Sequence, residues 1–361
     1  MMPSSSSSSL IRSSLTNVAQ TSLVILFLCH VLFQNCYYVN GLFIAGDPKV
    51  IDSQLLTEKI VANQTIRVNV NGEGSDFKSI QAAIDSVPEG NSNWIIIHVR
   101  KGIYKENVHI PRNKPYIFMR GDGKGKTSII WTESSHNKFQ SATFKVQAQN
   151  FIAFGISFKN EGPNGVANAA HVAAFVGGDK IAFYDCGFFS THNTLFDYKG
   201  RHYYHNCYIQ GSVDLIFGRA RSIYDKCEIF VVGDRRVDIH GSIAAHSRKS
   251  AGENSGFVFV KGKIYGVGNG NVYLGRAKDA FSRVIFANTY LSRSIVPQGW
   301  TNWSYAGSTN HVHHAEYNCH GPGSTPKDRA PWSKQLSDKE VAPFISLDFI
   351  HGKHWLPAAS L

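Results

Sequence analysis

The sequence predicts an all-β fold, a parallel β-helix built from stacked repeats. Three copies of one pattern lie between Asp179 and Phe230, with cysteines 21 and 20 residues apart: IAFYDCGF, HYYHNCYI and SIYDKCEI. A regular period of this length is typical of a solenoid, and short copies rich in aromatic and β-branched residues favour strands, one for each turn of the solenoid. Equivalent residues stack from coil to coil, so we expect Cys186, Cys207 and Cys227 to form a ladder.

The region before the repeats is predicted to close one end of the solenoid. Asn71–Asp76 is a Gly-rich turn, and Ser79–Val87 has helical spacing with one apolar face that ends at Pro88. The segment GEG lacks the flanking strand and helix of a phosphate-binding loop, so a short capping helix is favoured over a nucleotide site. From Trp94–Val99 onward, strands recur at coil-sized intervals without a linker.

Two regions follow from this pattern. Residues 1–45 are predicted to be a secretory signal and leader, and residues 46–361 a single β-helix domain whose tail packs along the solenoid. The apolar run Ser22–Phe33 is too short to span a bilayer comfortably but suits a signal sequence, with a signal anchor as the alternative. Glycosylation sequons at Asn63 and Asn302 agree with secretion.

The cysteines leave one question open. Removal of a signal would discard Cys29 and Cys36 and keep the three ladder cysteines and Cys319. Neighbours in the ladder could be bonded as a disulfide or packed as free thiols, and the spacing alone favours neither.

The composition indicates an anionic partner. The 361 residues carry a formal charge of +11 and are 43% hydrophobic, which is ample for a core, and the pI is near 9.3. Nucleic acid, acidic lipid and acidic polysaccharide are the candidates, beside the plainer interpretation of a soluble basic surface. The 16 histidines add positive charge in a mildly acidic compartment.

One carboxylate within the repeats is the first candidate for chemistry. The segment GSVDLIFG, between the second and third copies, sets Asp214 beside a chain reversal on an otherwise apolar strand. An ionised carboxylate can act as a nucleophile.

Eight ordered segments, over roughly Val68 to Leu356, resemble the landmarks of plant pectinesterases: VNVNGEGSDFKSIQAAIDSVP, GIYKE, FKNEGP, GGDKIAFYDCGF, GRHYYHNCYIQGSVDLIFG, LGRAKDAFSRVIFANTYL, VPQGWTNWS and AEYNCHGPGS. The resemblance is to the short type, without an inhibitor-like pro-region. It implies a right-handed parallel β-helix of the cell wall that hydrolyses methyl esters of homogalacturonan (pectin) to pectate and methanol, without cofactor or metal. We expect a monomer that binds neither nucleic acid nor, after signal removal, a membrane. A pectinesterase inhibitor protein is the candidate protein partner.

The resemblance assigns two matching site residues and two altered ones. It implies that Asp214 is the nucleophile and that Arg276, in LGRAK, orients it, keeps it ionised and contacts substrate. The family's Gln-Asp-Thr-Leu motif reads His192-Asn193-Thr-Leu here, so an amide replaces the expected general acid. Loss of a general acid typically costs about 10² to 10⁴ in rate. Either His192 or a water held by both side chains could replace it.

Further substrate-contacting positions also depart from the family pattern. Ala170 replaces a polar residue, and the adjacent His171 is predicted to face the other side of its strand. Lys278 replaces an aromatic platform, which favours a carboxylate over a methyl ester. Trp300 and Trp303 either stack on sugar rings or fill the end of the solenoid.

Two function classes therefore stay open, an active pectin methylesterase and a pectin-binding homologue without turnover. Another β-helix enzyme, a polygalacturonase or a lyase, is disfavoured because the motifs are those of the esterases and a lyase site would want a carboxylate cluster for Ca²⁺. Nucleic-acid binding conflicts with the signal. The run His311-Val-His313-His314 lacks a carboxylate or cysteine at ligand spacing and is interpreted as a surface loop rather than a metal site.

Overall fold

The computed structural model describes residues 51–133, 135–162, 170–232, 241–267, 271–303 and 305–357. Within these ranges three parallel sheets follow one another around each coil, which confirms the predicted right-handed parallel β-helix. The predicted signal, with Cys29 and Cys36, lies outside the described residues. The boundary predicted between residues 45 and 46 lies there as well and stays a prediction.

The elements are numbered in chain order. Sheet A contains β1 (Gln64–Val68), β2 (Ile95–Val99), β5 (Ile117–Gly121), β8 (Phe151–Phe154), β11 (Ile181–Tyr184), β14 (Arg201–His205), β17 (Arg221–Asp225), β20 (Gly256–Val260), β23 (Arg283–Ala287), β26 (His313–Tyr317) and β27 (Lys334–Gln335). Sheet B contains β3 (Gly102–Lys105), β6 (Thr127–Trp131), β9 (Ser157–Asn160), β12 (Gly187–Phe189), β15 (Tyr208–Gly211), β18 (Glu228–Val231), β21 (Lys263–Gly266) and β24 (Tyr290–Leu291). Sheet C contains β4 (Val108–Ile110), β7 (Phe144–Val146), β10 (Ala174–Val176), β13 (Leu195–Asp197), β16 (Ile216–Gly218), β19 (Ser242–His246), β22 (Tyr273–Ala277) and β25 (Trp300–Thr301). The helices are α1 (Ser53–Ile60), α2 (Ile80–Ser86), α3 (Asp338–Ile345) and the 3-10 helices Leu347–Ile350 and Gly352–His354.

Each repeat of about twenty residues is a coil of three short strands, so the expectation of one strand per turn is wrong. The cysteine motif spans the corner between sheets A and B, where Asp185, Asn206 and Lys226 have φ of 50°, 52° and 54°. Asp and Asn tolerate this left-handed conformation better than most residues, and a single such residue turns the chain into sheet B. The next residue is the buried cysteine, and all three ladder cysteines are free thiols.

The interior is held by a stack of aromatic rings. Phe183, Tyr204, Tyr224, Phe259 and Phe286 lie on consecutive coils of sheet A, with ring centroids between 4.4 and 5.3 Å apart. Parallel, in-register strands place equivalent side chains directly over one another, which is the geometry that a repeated aromatic position needs.

A buried ion pair lies beside this stack. The Asp197 carboxylate accepts hydrogen bonds from the hydroxyls of Tyr204 (2.9 Å) and Tyr224 (2.7 Å) and faces Nδ1 of His202. The other ring nitrogen of His202 lies 2.8 Å from the carbonyl oxygen of Gly178. Because both ring nitrogens face acceptors, His202 is an imidazolium paired with an ionised carboxylate.

One end of the solenoid is closed as expected, and an unpredicted helix packs on the outer face of sheet A. The predicted helix is confirmed as α2, which is capped by Ser79 and held at its N-terminus by Glu106, whose carboxylate accepts from the N–H groups of Ile80 and Gln81 at 2.9 Å. Helix α1 was not predicted, although Asp52 is a recognisable N-cap residue whose side chain accepts from the third residue after it.

The C-terminal tail covers the outer face of sheet A, which confirms its predicted placement along the solenoid. Val341, Phe349 and Ile350 are buried there against Ile223 and Val258 of the sheet. None of the helices in the described part of the chain is both long and apolar enough to cross a membrane.

Candidate active site

Two polar residues occupy equivalent positions where the chain passes from sheet B to sheet C. His192 and Val213 pair across adjacent coils, and the Asn193 N–H donates to the Val213 carbonyl oxygen at 3.0 Å. Asn193 and Asp214 therefore follow each other by one coil, and both have positive φ, 57° and 48°. Asn and Asp tolerate this left-handed conformation, so the two matched polar side chains are presented at the same turn of successive coils.

The Asp214 carboxylate is fixed by three hydrogen bonds. Arg276 binds it in bidentate geometry, with Nε 2.8 Å from Oδ1 and Nη2 2.6 Å from Oδ2, and the Ser242 hydroxyl donates to Oδ1 at 2.9 Å. Asp214 and Arg276 are only 6% and 9% exposed. Burial opposes the guanidinium charge, yet the hydrogen bond and the charge of Asp214 raise the pKa of Arg276 above its usual value. The pair thus holds the Asp214 carboxylate in one rotamer.

The backbone around Asp214 explains the glycine that ends GSVDLIFG. Gly218 has φ of 139°, and a Cβ there would lie 1.9 Å from the carbonyl oxygen of Asp197 on the preceding coil. Only glycine permits this approach, which keeps β16 in register with β13 and sets Asp214 at its start.

A column of aromatic residues crosses the outer face of sheet C next to this pair. Phe175, Phe196 and Phe217 are in register on consecutive coils, with centroid distances of 5.1 and 4.4 Å, and the same register continues through Ala245 to Arg276. This column was not predicted. The sequence shows that Phe217 follows Asp214 closely along the chain, but it does not show which residues lie beside Phe217 on the neighbouring coils.

Two lysines lie over the end of the aromatic column. Lys138 Nζ is 4.6 Å and Lys278 Nζ 5.9 Å from the centroid of the Phe217 ring. Burial lowers the pKa of both ammonium groups, and for Lys278 the neighbouring charges of Lys138 and Arg276 lower it further. Lys278 is where sequence analysis expected a substrate contact, whereas Lys138 and Ser242 carried no recognisable signal.

Two altered positions next to the site are buried. Ala170 is buried in the apolar cluster that contains Phe175 and Phe217. His171 is buried as well, and its Nδ1 lies 2.9 Å from the Thr191 hydroxyl oxygen. The His171 and His192 rings are 6.0 Å apart.

The two tryptophans have different roles. Trp300 is 2% exposed, belongs to the interior core and donates a hydrogen bond from Nε1 to the Glu316 carboxylate at 3.2 Å. It therefore fills the end of the solenoid, and the alternative in which it stacks on a sugar is wrong. Trp303 is 54% exposed, and the Arg276 guanidinium carbon lies 5.4 Å from the centroid of its indole. Of these two tryptophans, Trp303 is the one whose ring is exposed beside Arg276 and Asp214.

The histidine run is not the predicted surface loop. His313 begins β26. The next residue, His314, is fully buried, forms a hydrogen bond with the Ser282 hydroxyl and packs against Trp300. His311 stacks on Phe281. Parallel pairing with β23 draws this segment into sheet A. No group of three potential metal ligands is found among the residues described.

This arrangement can perform nucleophilic attack by a carboxylate. The ion pair with Arg276 orients the Asp214 carboxylate. The polar residues next to it on the preceding coil, His192 and Asn193, can donate hydrogen bonds to an oxygen that gains charge.

Comparison with known proteins gives one consistent result. The family model described as Pectinesterase matches residues 65–353. Two relatives from Arabidopsis thaliana are named "Probable pectinesterase 67", 61% identical over 309 residues (85% of this chain, 89% of that protein), and "Pectinesterase QRT1", 38% identical over 306 residues (81% and 79%). A solved pectin methylesterase from carrot has a TM-score of 0.77 at 27% identity, covering 87% of this chain and 98% of that one.

Proposed function

The chain belongs to the pectinesterase family, and we propose that it hydrolyses methyl esters of cell-wall homogalacturonan, releasing methanol and leaving pectate, with Asp214 as the nucleophile. The observation that carries this proposal is the buried Asp214 carboxylate, held by Nε and Nη2 of Arg276 and by the Ser242 hydroxyl. A carboxylate so oriented loses little freedom on attack, which is how positioning contributes to rate.

The reaction follows from this geometry in two steps. An oxygen of Asp214 attacks the ester carbonyl carbon, and collapse of the tetrahedral intermediate breaks the bond to the methoxy oxygen, which takes a proton and leaves as methanol. Water then attacks the acyl group on Asp214, releasing the free uronate and regenerating the carboxylate. Of the two protons that the water gives up, one returns to the donor of the first step and the other leaves to solvent. Arg276 returns Asp214 to its charged, oriented state after each turnover.

The proton for methanol is the step that this chain must solve differently. The Asn193 amide can stabilise an oxyanion by a hydrogen bond but cannot give up a proton and recover it. In this proposal the donor is His192, which pairs with Val213 next to the Asp214 turn, or a water held by both side chains. Imidazole suits this role in a mildly acidic compartment.

The second candidate is a pectin-binding homologue without turnover. The amide of Asn193 at the position matched with Asp214 favours it, as does the positive charge of Lys138 and Lys278 next to the nucleophile. Such a protein would keep the ion pair for structural reasons and bind the acidic product.

The cellular setting is proposed on the same premise. Secretion to the cell wall, a monomeric state and an inhibitor protein as partner are expectations from the family. Asn63 and Asn302 are both exposed, as glycosylation requires.

The test is methanol release from highly methylated pectin by the purified protein across about pH 5 to 8. Asp214→Ala is expected to abolish release, and Ser242→Ala to lower kcat by about tenfold at constant KM, because one hydrogen bond that orients the nucleophile is lost. Release that survives Asp214→Ala would refute the mechanism. Absence of release from the unaltered protein, with retained pectin binding, would establish the second candidate.

A further inference from the structure

Lys138 and Lys278 form a pair of positive charges that the described part of the protein does not neutralise. They reach the same Phe217 ring from a loop before β7 and from the end of β22, with Nζ atoms 4.6 and 5.9 Å from its centroid. No salt bridge to either ammonium group occurs among the described residues. The one carboxylate at the centre of the site, Asp214, is already bound by Arg276.

The charge at this place is therefore unbalanced. Among the residues that the structure describes here, the cations Lys138, Lys278 and Arg276 outnumber the carboxylates Asp214 and Asp279 by one. Both lysines are half-buried, where charges interact more strongly than in open solvent. Their mutual repulsion costs free energy in the unliganded protein, and an anion between them would relieve it.

We propose that Lys138 and Lys278 form a carboxylate clamp that binds the free uronate group of a sugar adjacent to the one whose ester Asp214 attacks. The clamp rests on the proposed function, since it assigns a chemical class of substrate to the same groove. A methyl ester has no charge to bind there. The protein thus prefers partly de-esterified polyuronide to a fully methylated chain.

Binding of unesterified oligogalacturonate, measured calorimetrically on the full protein at low salt, tests the clamp without turnover. Lys138→Met and Lys278→Met are each expected to weaken binding roughly fivefold to tenfold, the value of one partly desolvated ion pair. Lys138→Arg and Lys278→Arg keep the charge and should stay within about twofold of the unaltered protein. The matched control is Lys105→Met, which removes one exposed positive charge from β3 in sheet B.

The outcomes separate the clamp from the esterase. Equal affinity of the Met variants and the unaltered protein would overturn the clamp, as would an equal loss in Lys105→Met, which would indicate only a long-range effect of net charge. A lysine-dependent affinity without any methanol release would support the clamp and refute the esterase. Thermal unfolding midpoints of the Met and Arg variants distinguish lost binding from lost folding.

Discussion

Asn193 and Asp214 lie at equivalent turns of consecutive coils. Both have a left-handed backbone, with φ of 57° and 48°. Adjacent coils of a parallel sheet lie about 4.8 Å apart, so these two side chains leave the backbone as close neighbours. The site therefore already has the geometry for two carboxylates and contains one.

Asn193→Asp is expected to raise methanol release by about 10² or more, because a carboxyl group can donate and recover the proton that an amide cannot. Asp tolerates positive φ nearly as well as Asn, so the fold should accept the change. Initial rates on methylated pectin measure the effect, with Asp214→Ala added to the same background as the control. An unchanged rate in Asn193→Asp would mean that another group already supplies the proton.

Trp300 and Trp303 should respond oppositely to truncation. Trp300→Ala removes a buried core side chain and is expected to destabilise the protein by about 3 to 5 kcal/mol. Trp303→Ala removes an exposed ring over Arg276 and should raise KM for pectin while leaving the unfolding free energy within about 0.5 kcal/mol. Chemical unfolding and steady-state kinetics of both variants measure the contrast, and a stability loss in Trp303→Ala would contradict this assignment.

The buried pair of Asp197 and His202 should make stability depend on pH in both directions. Burial opposes both charges, but each partner's charge offsets it, so the pKa of His202 is raised above 6.5 and that of Asp197 lowered below 3.8. The stabilisation that His202 contributes is complete below pH 6.5 and is lost as the pH rises through the higher pKa of His202 in the folded protein. The stabilisation that Asp197 contributes is complete above pH 3.8 and is lost as the pH falls through the lower pKa of Asp197 in the folded protein.

The difference in unfolding free energy between the unaltered protein and His202→Gln measures this effect. It should be largest near pH 5 to 6 and decrease toward about pH 9. The exposed His136→Gln is the matched control and should give no such trend. A difference that does not change with pH would show that His202 is neutral. Asp197→Asn should cost about 3 to 5 kcal/mol, because it leaves a buried imidazolium unpaired.

The cysteine ladder should be chemically silent in the folded protein. Burial raises the pKa of the Cys186 and Cys227 thiols, and raises that of Cys319 to about 12, so little thiolate is present at neutral pH. A thiol reagent such as Ellman's reagent at about pH 8 should label none of the ladder cysteines or Cys319 before unfolding and all of them afterwards. Two unlabelled cysteines after unfolding without reductant would reveal a disulfide in the ladder.

The sequence by itself determined the features that are local or that repeat along the chain. The D/N/K-Cys motif encodes a left-handed corner followed by a buried residue, so its period revealed the solenoid and the stacking of Cys186, Cys207 and Cys227. Ser79 encoded the start of the capping helix in the same local way. The segment GSVDLIFG singled out Asp214 as a candidate by itself, whereas the pairing of Asp214 with Arg276 came from segments that resemble a family, since no local pattern relates two residues on different coils.

The tertiary structure alone decided which residues meet across coils. Register brings Ser242 and Arg276 to Asp214, and the fold sets Lys138 and Lys278 over the same Phe217 ring. It likewise pairs His202 with Asp197 in the interior. These contacts depend on loop lengths and strand register summed over whole coils, and residues of the same type would be unremarkable surface groups if one coil were shifted by one position.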